Sequence, residues 1–331
     1  AGGAVSDLGV YRMNPDVLTQ KPDLLFVEFA VNDFGSTTES IYRTMEGIVR
    51  KTWRRYPQAD ICFVYTIAEN NIKDLQAGKY QFTALAMEQI AEHYRIPSIH
   101  MGVEVIKLLD AGKLIFTGVP EEHPHQIVFT TDHTHPLSGS GHPIYAGVVE
   151  HYLQEMAQSD SIAPHDLGAP FVADNWEDAQ MIPLSRIKNR RGFKKLAGKD
   201  TVQQQFKKFM PAIYKAMAPG ATFTVRFTGK VLGVYDLIGP PGGIVTVTVD
   251  GGAPQDIFRF DQWGNYYRKS AFFLKDLDNG PHQATFTVTG KSFDKAALLR
   301  KRKITMTDPA IYRENSWLLS NILVLGKLEE Q

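Results

Sequence analysis

The sequence predicts a two-domain protein, in which a three-layer α/β lobe with a parallel sheet precedes an all-β sandwich or jelly-roll domain. Its 331 residues are more than double the ~150 residues of a typical single domain. Apolar strand-like runs alternate with helix-like segments over residues 1–157, which is the pattern of βαβ units. Beyond residue 220, many short strand-like runs are separated by Gly, Pro and Asp, as is typical of antiparallel sandwiches.

The first half contains alternating strands and helices, and residues 1–157 are assigned to one domain. The predicted strands are short, mostly apolar runs at residues 24–29, 60–67 and 96–99. The predicted helices carry apolar residues on one face and lie at residues 39–55, 80–94, 102–110 and 142–156. In the first helix, Ile41, Met45 and Ile48 recur at three- and four-residue spacing, which places them on one side of the helix.

The second half is predicted to contain a linker followed by antiparallel strands. Residues 158–200 are assigned to the linker, because Pro, Asp, Gly and Ser dominate its first part and a basic, partly helical pattern its second. The β domain is assigned to residues 201–331. Its clearest predicted strands lie at residues 221–227, 231–237, 244–249 and 283–289, the last preceded by an Asn-Gly hairpin signal.

The composition argues against several classes of partner and site. Lys plus Arg and Asp plus Glu balance at 36 each, which argues against nucleic acid or an anionic membrane held by bulk charge. No apolar run approaches the ~18 residues of a membrane-spanning helix. Cys62 is the only cysteine, so a disulfide framework and a cysteine-based zinc cluster are excluded, and we predict that Cys62 is a buried core residue. We predict no cofactor.

Three short motifs carry polar groups suited to catalysis. In Asp132-x-x-His135 the carboxylate can hold one imidazole nitrogen, so that the other takes a proton from a nucleophile. Asn32 follows a buried strand, where its amide can donate to an oxyanion; the alternative is that Asn32 and Asp33 form a turn and helix cap. Gly3 precedes a helix and can present its backbone N–H to an anion, or can form a plain turn.

Together these motifs resemble those of the SGNH (GDSL) hydrolase superfamily, in order and spacing, over residues 1–157. The matching residues are Gly3, Ser6-x-x-Gly9-x-x-Arg12, Asn32-Asp33 after a strand, and Asp132-x-x-His135-Pro136. The resemblance implies a flavodoxin-like three-layer lobe. It also implies that Gly3 and Asn32 belong to the oxyanion hole, that His135 is the general base and that Asp132 orients His135.

The serine motif of this family is absent from the sequence. In the family, the nucleophile lies on a Gly-Asp-Ser motif upstream of the glycine that matches Gly3, whereas Ser6 matches a helix-start position. Neither Gly-Asp-Ser nor Gly-x-Ser-x-Gly occurs. We therefore expect an N-terminally incomplete enzyme, whose serine and first strand, helix and second strand are supplied by an upstream segment, a peptide or a second chain. Without them, the sheet has an exposed edge.

An SGNH lobe followed by a β-sandwich resembles bacterial carbohydrate acetylesterases. This implies a serine esterase that deacetylates an acylated carbohydrate, and a periplasmic or secreted location if the substrate is a polysaccharide. The alternative from another class is a non-catalytic carbohydrate-binding protein with a degenerate hydrolase lobe. A lipase or phospholipase is a weaker alternative, since the sequence has no long apolar lid segment.

Several other features have two interpretations. A group of histidines next to Asp132 suggests a metal site, but its spacing matches no standard zinc motif, so a polar loop is favoured; the group is His123, His125, His133, His135 and His142. The aromatic residues of 258–268 are interpreted as sandwich core rather than a sugar-stacking platform. Trp176 and Glu177 are expected to dock the linker, and the basic run 188–195 is expected to form a solvated face.

Overall fold

The computed structural model describes residues 3–158, 163–275, 277–306 and 308–329, and the chain divides into an α/β lobe, Ala1–Glu177, and a β domain, Asp178–Gln331. The helices of the lobe are α1 Ser6–Arg12, α2 Thr38–Arg55, α3 Ile72–Gln76, α4 Phe82–Tyr94, α5 Gly102–Asp110 and α6 Gly141–Met156, and those of the β domain are α7 Thr201–Phe206 and α8 Lys295–Arg300. Among the described residues, none of these helices combines the length and apolar character needed to cross a membrane.

The strands fall into two groups, one in each unit. Those of the lobe are β1 Leu24–Val27, β2 Asp60–Tyr65, β3 Ser98–His100, β4 Leu114–Thr117 and β5 Ile127–Thr130. Those of the β domain are β6 Ala179–Pro183, β7 Arg190–Arg191, β8 Phe193–Lys195, β9 Tyr214–Ala216, β10 Thr222–Ile238, β11 Ile244–Val249, β12 Gln255–Phe258, β13 Arg268–Leu274, β14 Gly280–Val288 and β15 Leu318–Leu328. The predicted fold class, an α/β lobe followed by an all-β domain, is confirmed.

The lobe is built on parallel strands. β1, β2 and β3 form one parallel sheet in that order, and β4 and β5 form a separate parallel pair. Cys62 lies on β2 and is fully buried in the apolar core, as predicted. β1 is an edge strand within the described residues, and its side chains Leu24 and Phe26 are 42% and 39% exposed. An edge strand with exposed apolar side chains is a surface on which another strand can pair.

The described part of the predicted linker, residues 163–200, packs against both units of the chain, with 163–177 in the lobe and 178–200 in the β domain. In the lobe, the buried Glu46 carboxylate accepts the backbone N–H groups of Phe171 and Val172 at 2.5 and 2.8 Å. Trp176 is 4% exposed and donates its backbone N–H to the Arg43 carbonyl at 2.9 Å. The Pro- and Gly-rich composition therefore reflects irregular backbone whose polar groups are satisfied, not a lack of packing. Residues 159–162 lie outside the described residues.

The second part of the predicted linker belongs to the sheet of the β domain. The expected helical stretch is instead β7 and β8, which pair with β10 and β9. Phe193 on β8 packs edge-on against Phe223 and Trp317, with ring centroids 5.7 and 6.3 Å apart. The packing of Phe193 outweighs the helical propensity of the basic residues around it, because tertiary packing routinely overrides helix propensity.

One long strand organises the β domain. β10 pairs with β14 along its first half and with β13 along its second, and β15 follows it over most of its length. The sequence predicted two strands here, at 221–227 and 231–237. They form one continuous strand with a bulge at Gly229. The two backbones are so close here that a Cβ atom on Gly229 would lie 2.0 Å from the carbonyl oxygen of Leu325, and a Cβ atom on Gly326 would lie 2.1 Å from the carbonyl oxygen of Thr228. The glycines let the two backbones pass in contact.

A buried ion pair lies in the core of the β domain. Arg259 donates from Nε and Nη2 to the two carboxylate oxygens of Asp236 at 2.7 and 2.6 Å, and Trp317 Nε1 donates to the same carboxylate at 2.6 Å. The Asp236 side chain is 0% exposed and that of Arg259 6%. The Arg259 guanidinium also lies 4.8 Å from the centroid of the Phe272 ring. Each charge is therefore fully paired in an apolar environment.

The aromatic cluster at residues 258–268 is divided between core and surface. Phe260 is 3% exposed and packs against Phe293 and Tyr312, which agrees with the interpretation as core. Phe258 and Tyr266 are 51% and 50% exposed, so this part of the prediction was wrong. The strand alternation of β12 and the turn that follows it place these two rings outward.

Candidate active site

The loop after β5 brings Asp132 and His135 together. Asp132 Oδ1 accepts the backbone N–H groups of His135 at 2.8 Å and Thr134 at 3.1 Å, and Oδ2 lies 2.8 Å from His135 Nδ1. The Thr130 hydroxyl donates to the same carboxylate at 3.0 Å. The loop is thus folded around the carboxylate, which favours the imidazole tautomer with the proton on Nδ1 and leaves Nε2 as an acceptor.

The electrostatics of this pair favour an ionised carboxylate. The backbone N–H and the side chain of His135 hold the pKa of Asp132 well below its usual range. The two side chains are exposed, 54% for Asp132 and 81% for His135. No hydrogen bond to His135 Nε2 is formed within the described parts of the chain. A negative charge on one side of the imidazole and an accessible nitrogen on the other suit a general base.

Close packing behind the loop holds it in place. Leu137 donates its backbone N–H to the Phe129 carbonyl at 2.7 Å, which returns the chain alongside β5. A Cβ at Gly141, where α6 begins, would lie 2.6 Å from Pro136 Cβ and 2.8 Å from the Phe129 carbonyl oxygen. Only glycine permits this approach. The loop is therefore clamped between β5 and α6, and the Asp132–His135 geometry does not depend on the ion pair alone.

Asn32 and Gly3 lie on two segments that Asp33 connects. Asn32 is exposed and begins a single 3₁₀ turn after β1, Asn32–Gly35. Gly3 is exposed, has a φ of +66°, and lies three residues before Ser6, the first residue of α1. The Asp33 carboxylate accepts the backbone N–H of Ser6, the first residue of α1, at 2.8 Å. Asp33 thus caps a helix far away in sequence, whereas the sequence suggested only a local turn or cap.

Asp33 gives the lobe a pH-dependent stability. The carboxyl is fully buried, and burial raises its pKa to about 6, although the hydrogen bonds from Ser6 oppose this shift. The unfolded chain titrates near pH ~4, so the contribution of Asp33 to the free energy of unfolding falls as pH rises from about 4 to 6, by up to ~3 kcal/mol. Asp33→Asn keeps an acceptor for Ser6 and removes this contribution, so urea denaturation should show that the variant gains stability relative to the unmodified protein between pH 4 and 7. Asp23→Asn, on an exposed aspartate, should show no such relative gain, and its absence in Asp33→Asn would contradict the assignment.

The loop after β1 and the loop after β5 line one groove. It has a volume of about 570 Å³, and Val31 and Phe34 from the loop after β1 and His133 and Thr134 from the loop after β5 line it. Asn32 and His135 are neighbours of these lining residues in sequence, and their own side chains form no hydrogen bond to each other in the described structure. The loops at the carboxyl ends of β1 and β5 therefore line one groove, and Gly3, Asn32, Asp132 and His135 are not themselves among its lining residues.

The histidine group does not assemble into a metal site. Within the described ranges, no three His, Cys, Asp or Glu side chains are placed to hold a metal ion. His133 Nδ1 lies 2.7 Å from Glu69 Oε2, and His135 is held by Asp132. Residues of this group thus have carboxylate partners of their own.

No protein-family model and no curated protein matches this chain. Several solved structures are similar to this chain. A crystal structure of a two-domain esterase (CEX) active on acetylated mannans superposes with a TM-score of 0.70 at 24% identity, covering 99% of this chain and 78% of that one. A second, co-crystallized with mannopentaose, gives a TM-score of 0.71 at 21% identity over the same shares of the two chains. The likeness establishes a shared two-domain fold.

Sequence reasoning missed Glu69 and the groove residues Phe34 and Phe82. Glu69 donates its backbone N–H to the His133 carbonyl at 2.9 Å, which joins the loop after β2 to the loop that carries His135. The signal was present, since Glu69-Asn70-Asn71 follows buried strand β2 much as Asn32-Asp33 follows β1. Polar clusters at two successive strand ends indicate a shared site at one edge of the sheet.

Proposed function

We propose that this chain forms the catalytic lobe and the β domain of an SGNH-type serine esterase that removes acetyl groups from a carbohydrate. The observation that carries the proposal is the Asp132–His135 pair, held at 2.8 Å in a clamped loop beside a groove. The fold adds support, because it is shared with a two-domain esterase active on acetylated mannans. Gly3 and Asn32 are proposed as oxyanion donors.

In the proposed reaction, His135 Nε2 removes the proton from a serine hydroxyl as the serine oxygen attacks the acetyl carbonyl. The carbonyl oxygen becomes negative and is stabilised by the backbone N–H of Gly3 and the amide of Asn32. The imidazolium then protonates the departing sugar oxygen, and the C–O bond breaks to leave an acetyl-serine. Water, deprotonated by His135, hydrolyses this ester and releases acetate. Asp132 stabilises the imidazolium in both halves.

We further propose that the serine comes from a segment outside these 331 residues, upstream or on a second chain. This is supported by the absence of a Gly-Asp-Ser motif and by His135 Nε2, which has no hydrogen-bond partner among the described residues. The open edge of β1, with Leu24 and Phe26 exposed, offers such a segment a place to pair. A parallel strand that pairs there would have its carboxyl end at the same edge of the sheet as the carboxyl ends of β1 and β2.

The test is mass spectrometry of the natively purified protein before and after a fluorophosphonate serine probe, with acetate release from acetylated mannan measured in parallel. We expect one probe adduct, acetate release, and an adduct-bearing peptide that is absent from the sequence printed here. An adduct on Ser6 or another serine of this chain would overturn the proposed source of the nucleophile but not the activity. No adduct and no acetate release would overturn the esterase and favour the carbohydrate-binding alternative.

A further inference from the structure

We propose that the groove beside the candidate catalytic loop is a binding subsite for an uncharged glycan, and that Phe34 and Phe82 supply the apolar faces on which its sugar rings pack. The inference rests on the proposed function, since it takes the ligand of the groove to be the esterase substrate. It goes beyond that function by naming the surface and the substrate class.

Two exposed aromatic rings lie in one groove. Phe34, on the turn after β1, is 67% exposed, and Phe82, the first residue of α4, is 46% exposed. Both line the groove of about 570 Å³ described above. Large apolar side chains grouped in a concave polar surface mark ligand sites. The negative face of an aromatic ring attracts the weakly positive C–H groups on one side of a pyranose.

The polar lining matches hydroxyl groups and not anions. Asn70, Asp74 and Glu69 lie on the same wall and offer amide and carboxylate groups, while none of the described residues that line the groove is Lys or Arg. The one histidine of the lining, His133, is already held by the Glu69 carboxylate at 2.7 Å, so a uronic acid or a phosphate would meet carboxylates without a lysine or arginine to offset them. A neutral sugar can donate its hydroxyls to the carboxylates and accept from the amide.

The groove walls are held in place without a ligand. The Thr83 hydroxyl donates to the Ala30 carbonyl at 2.6 Å, which ties α4 to the loop after β1. The Gln81 amide donates to the Thr66 carbonyl at 2.9 Å, which ties α4 to the loop after β2. A site built in this way loses little conformational entropy when it binds.

The same wall connects the groove to the catalytic loop. Glu69 forms two hydrogen bonds to His133, one through its side chain at 2.7 Å and one through its backbone N–H at 2.9 Å. His133 has a φ of +71°, and His135 follows it by two residues. A glycan in the groove therefore contacts the loop that carries the proposed general base, at residues one and two positions before His135.

The test is isothermal titration of the natively purified protein and its variants with mannopentaose, and with a galacturonate oligomer of similar length as the anionic probe. We expect each of Phe34→Ala and Phe82→Ala to weaken mannopentaose binding about tenfold, and the double variant to abolish it. The galacturonate oligomer should bind at least tenfold more weakly than mannopentaose. Both rings are exposed, so truncation should leave the thermal unfolding curve unchanged.

Tyr152→Ala is the matched control, since Tyr152 is an aromatic residue of the lobe, 39% exposed, that lies outside the groove. It should bind both probes as the unmodified protein does. In the double variant, the ratio of kcat/KM on acetylated mannan to that on 4-nitrophenyl acetate should fall at least fivefold. Unchanged binding in the double variant, or stronger binding of galacturonate, would overturn the inference. Glycan binding without turnover of either ester would overturn the proposed function and leave the subsite standing.

Discussion

His135→Ala should lower kcat on acetylated substrates by about 10⁴-fold or more and change KM little, because the imidazole moves a proton in both halves of the reaction. The large loss of kcat is expected because of the way His135 is held. The Asp132 carboxylate orients one ring nitrogen at 2.8 Å, and no second base is hydrogen-bonded to this pair among the described residues. Initial-rate kinetics with 4-nitrophenyl acetate on the natively purified protein measure the loss.

Two variants separate this role from general damage. Asp132→Asn should lower kcat by about 10⁴-fold, since an amide can hold the imidazole in the wrong tautomer. His125→Ala removes another exposed histidine from the same lobe and should retain full activity. Activity that survives in His135→Ala would assign the base elsewhere and overturn the site.

Arg259→Met should destabilise the β domain by about 3–5 kcal/mol, because it leaves the Asp236 carboxylate buried without its cation. Trp317 Nε1 would be the remaining side-chain donor to Asp236 in the described structure. The measurement is urea denaturation followed by far-UV circular dichroism, with the transition of the β domain fitted separately.

A second variant tests whether the loss comes from the orphaned charge. Asp236→Leu with Arg259→Met removes both charges, and should be more stable than Arg259→Met alone. Arg300→Met, at a side chain 67% exposed, should change the free energy of unfolding by less than ~0.5 kcal/mol. A double variant less stable than the single one would show that the ion pair contributes packing rather than compensated charge.

The periodic segments were predictable from sequence, since burial imposes a pattern on them. The α2 stripe Ile41, Met45 and Ile48 is buried as predicted. β1 and β2 lie in parallel register, as the alternation of strands and helices indicated. Asp132 and His135 lie in contact, because three residues on one loop cannot separate far. These features depend on neighbours in the chain, which a sequence shows directly.

The features that depend on distant partners were not predictable. Gly229 looked like a break between strands, and its role became visible only with Gly326 opposite. Glu46, an apparently ordinary helix residue, binds backbone groups 125 and 126 residues away and so orders part of the predicted linker. Asp33 looked like a local turn residue. In each case, the deciding contact joins segments whose pairing no local pattern encodes.

The position of β15 in the sheet bears on the order in which the β domain can fold during synthesis. β15 lies inside the sheet, where it pairs with β10, β6 and β9. Its partner β6 is the first strand of the domain, and it leaves the ribosome more than 130 residues earlier. Until residue 328 emerges, β6 has no strand to pair with, and β10 can pair with β13 and β14 but not along the edge that β15 occupies. Nascent chains are therefore expected to expose these strand edges for about 10 seconds at ordinary translation rates.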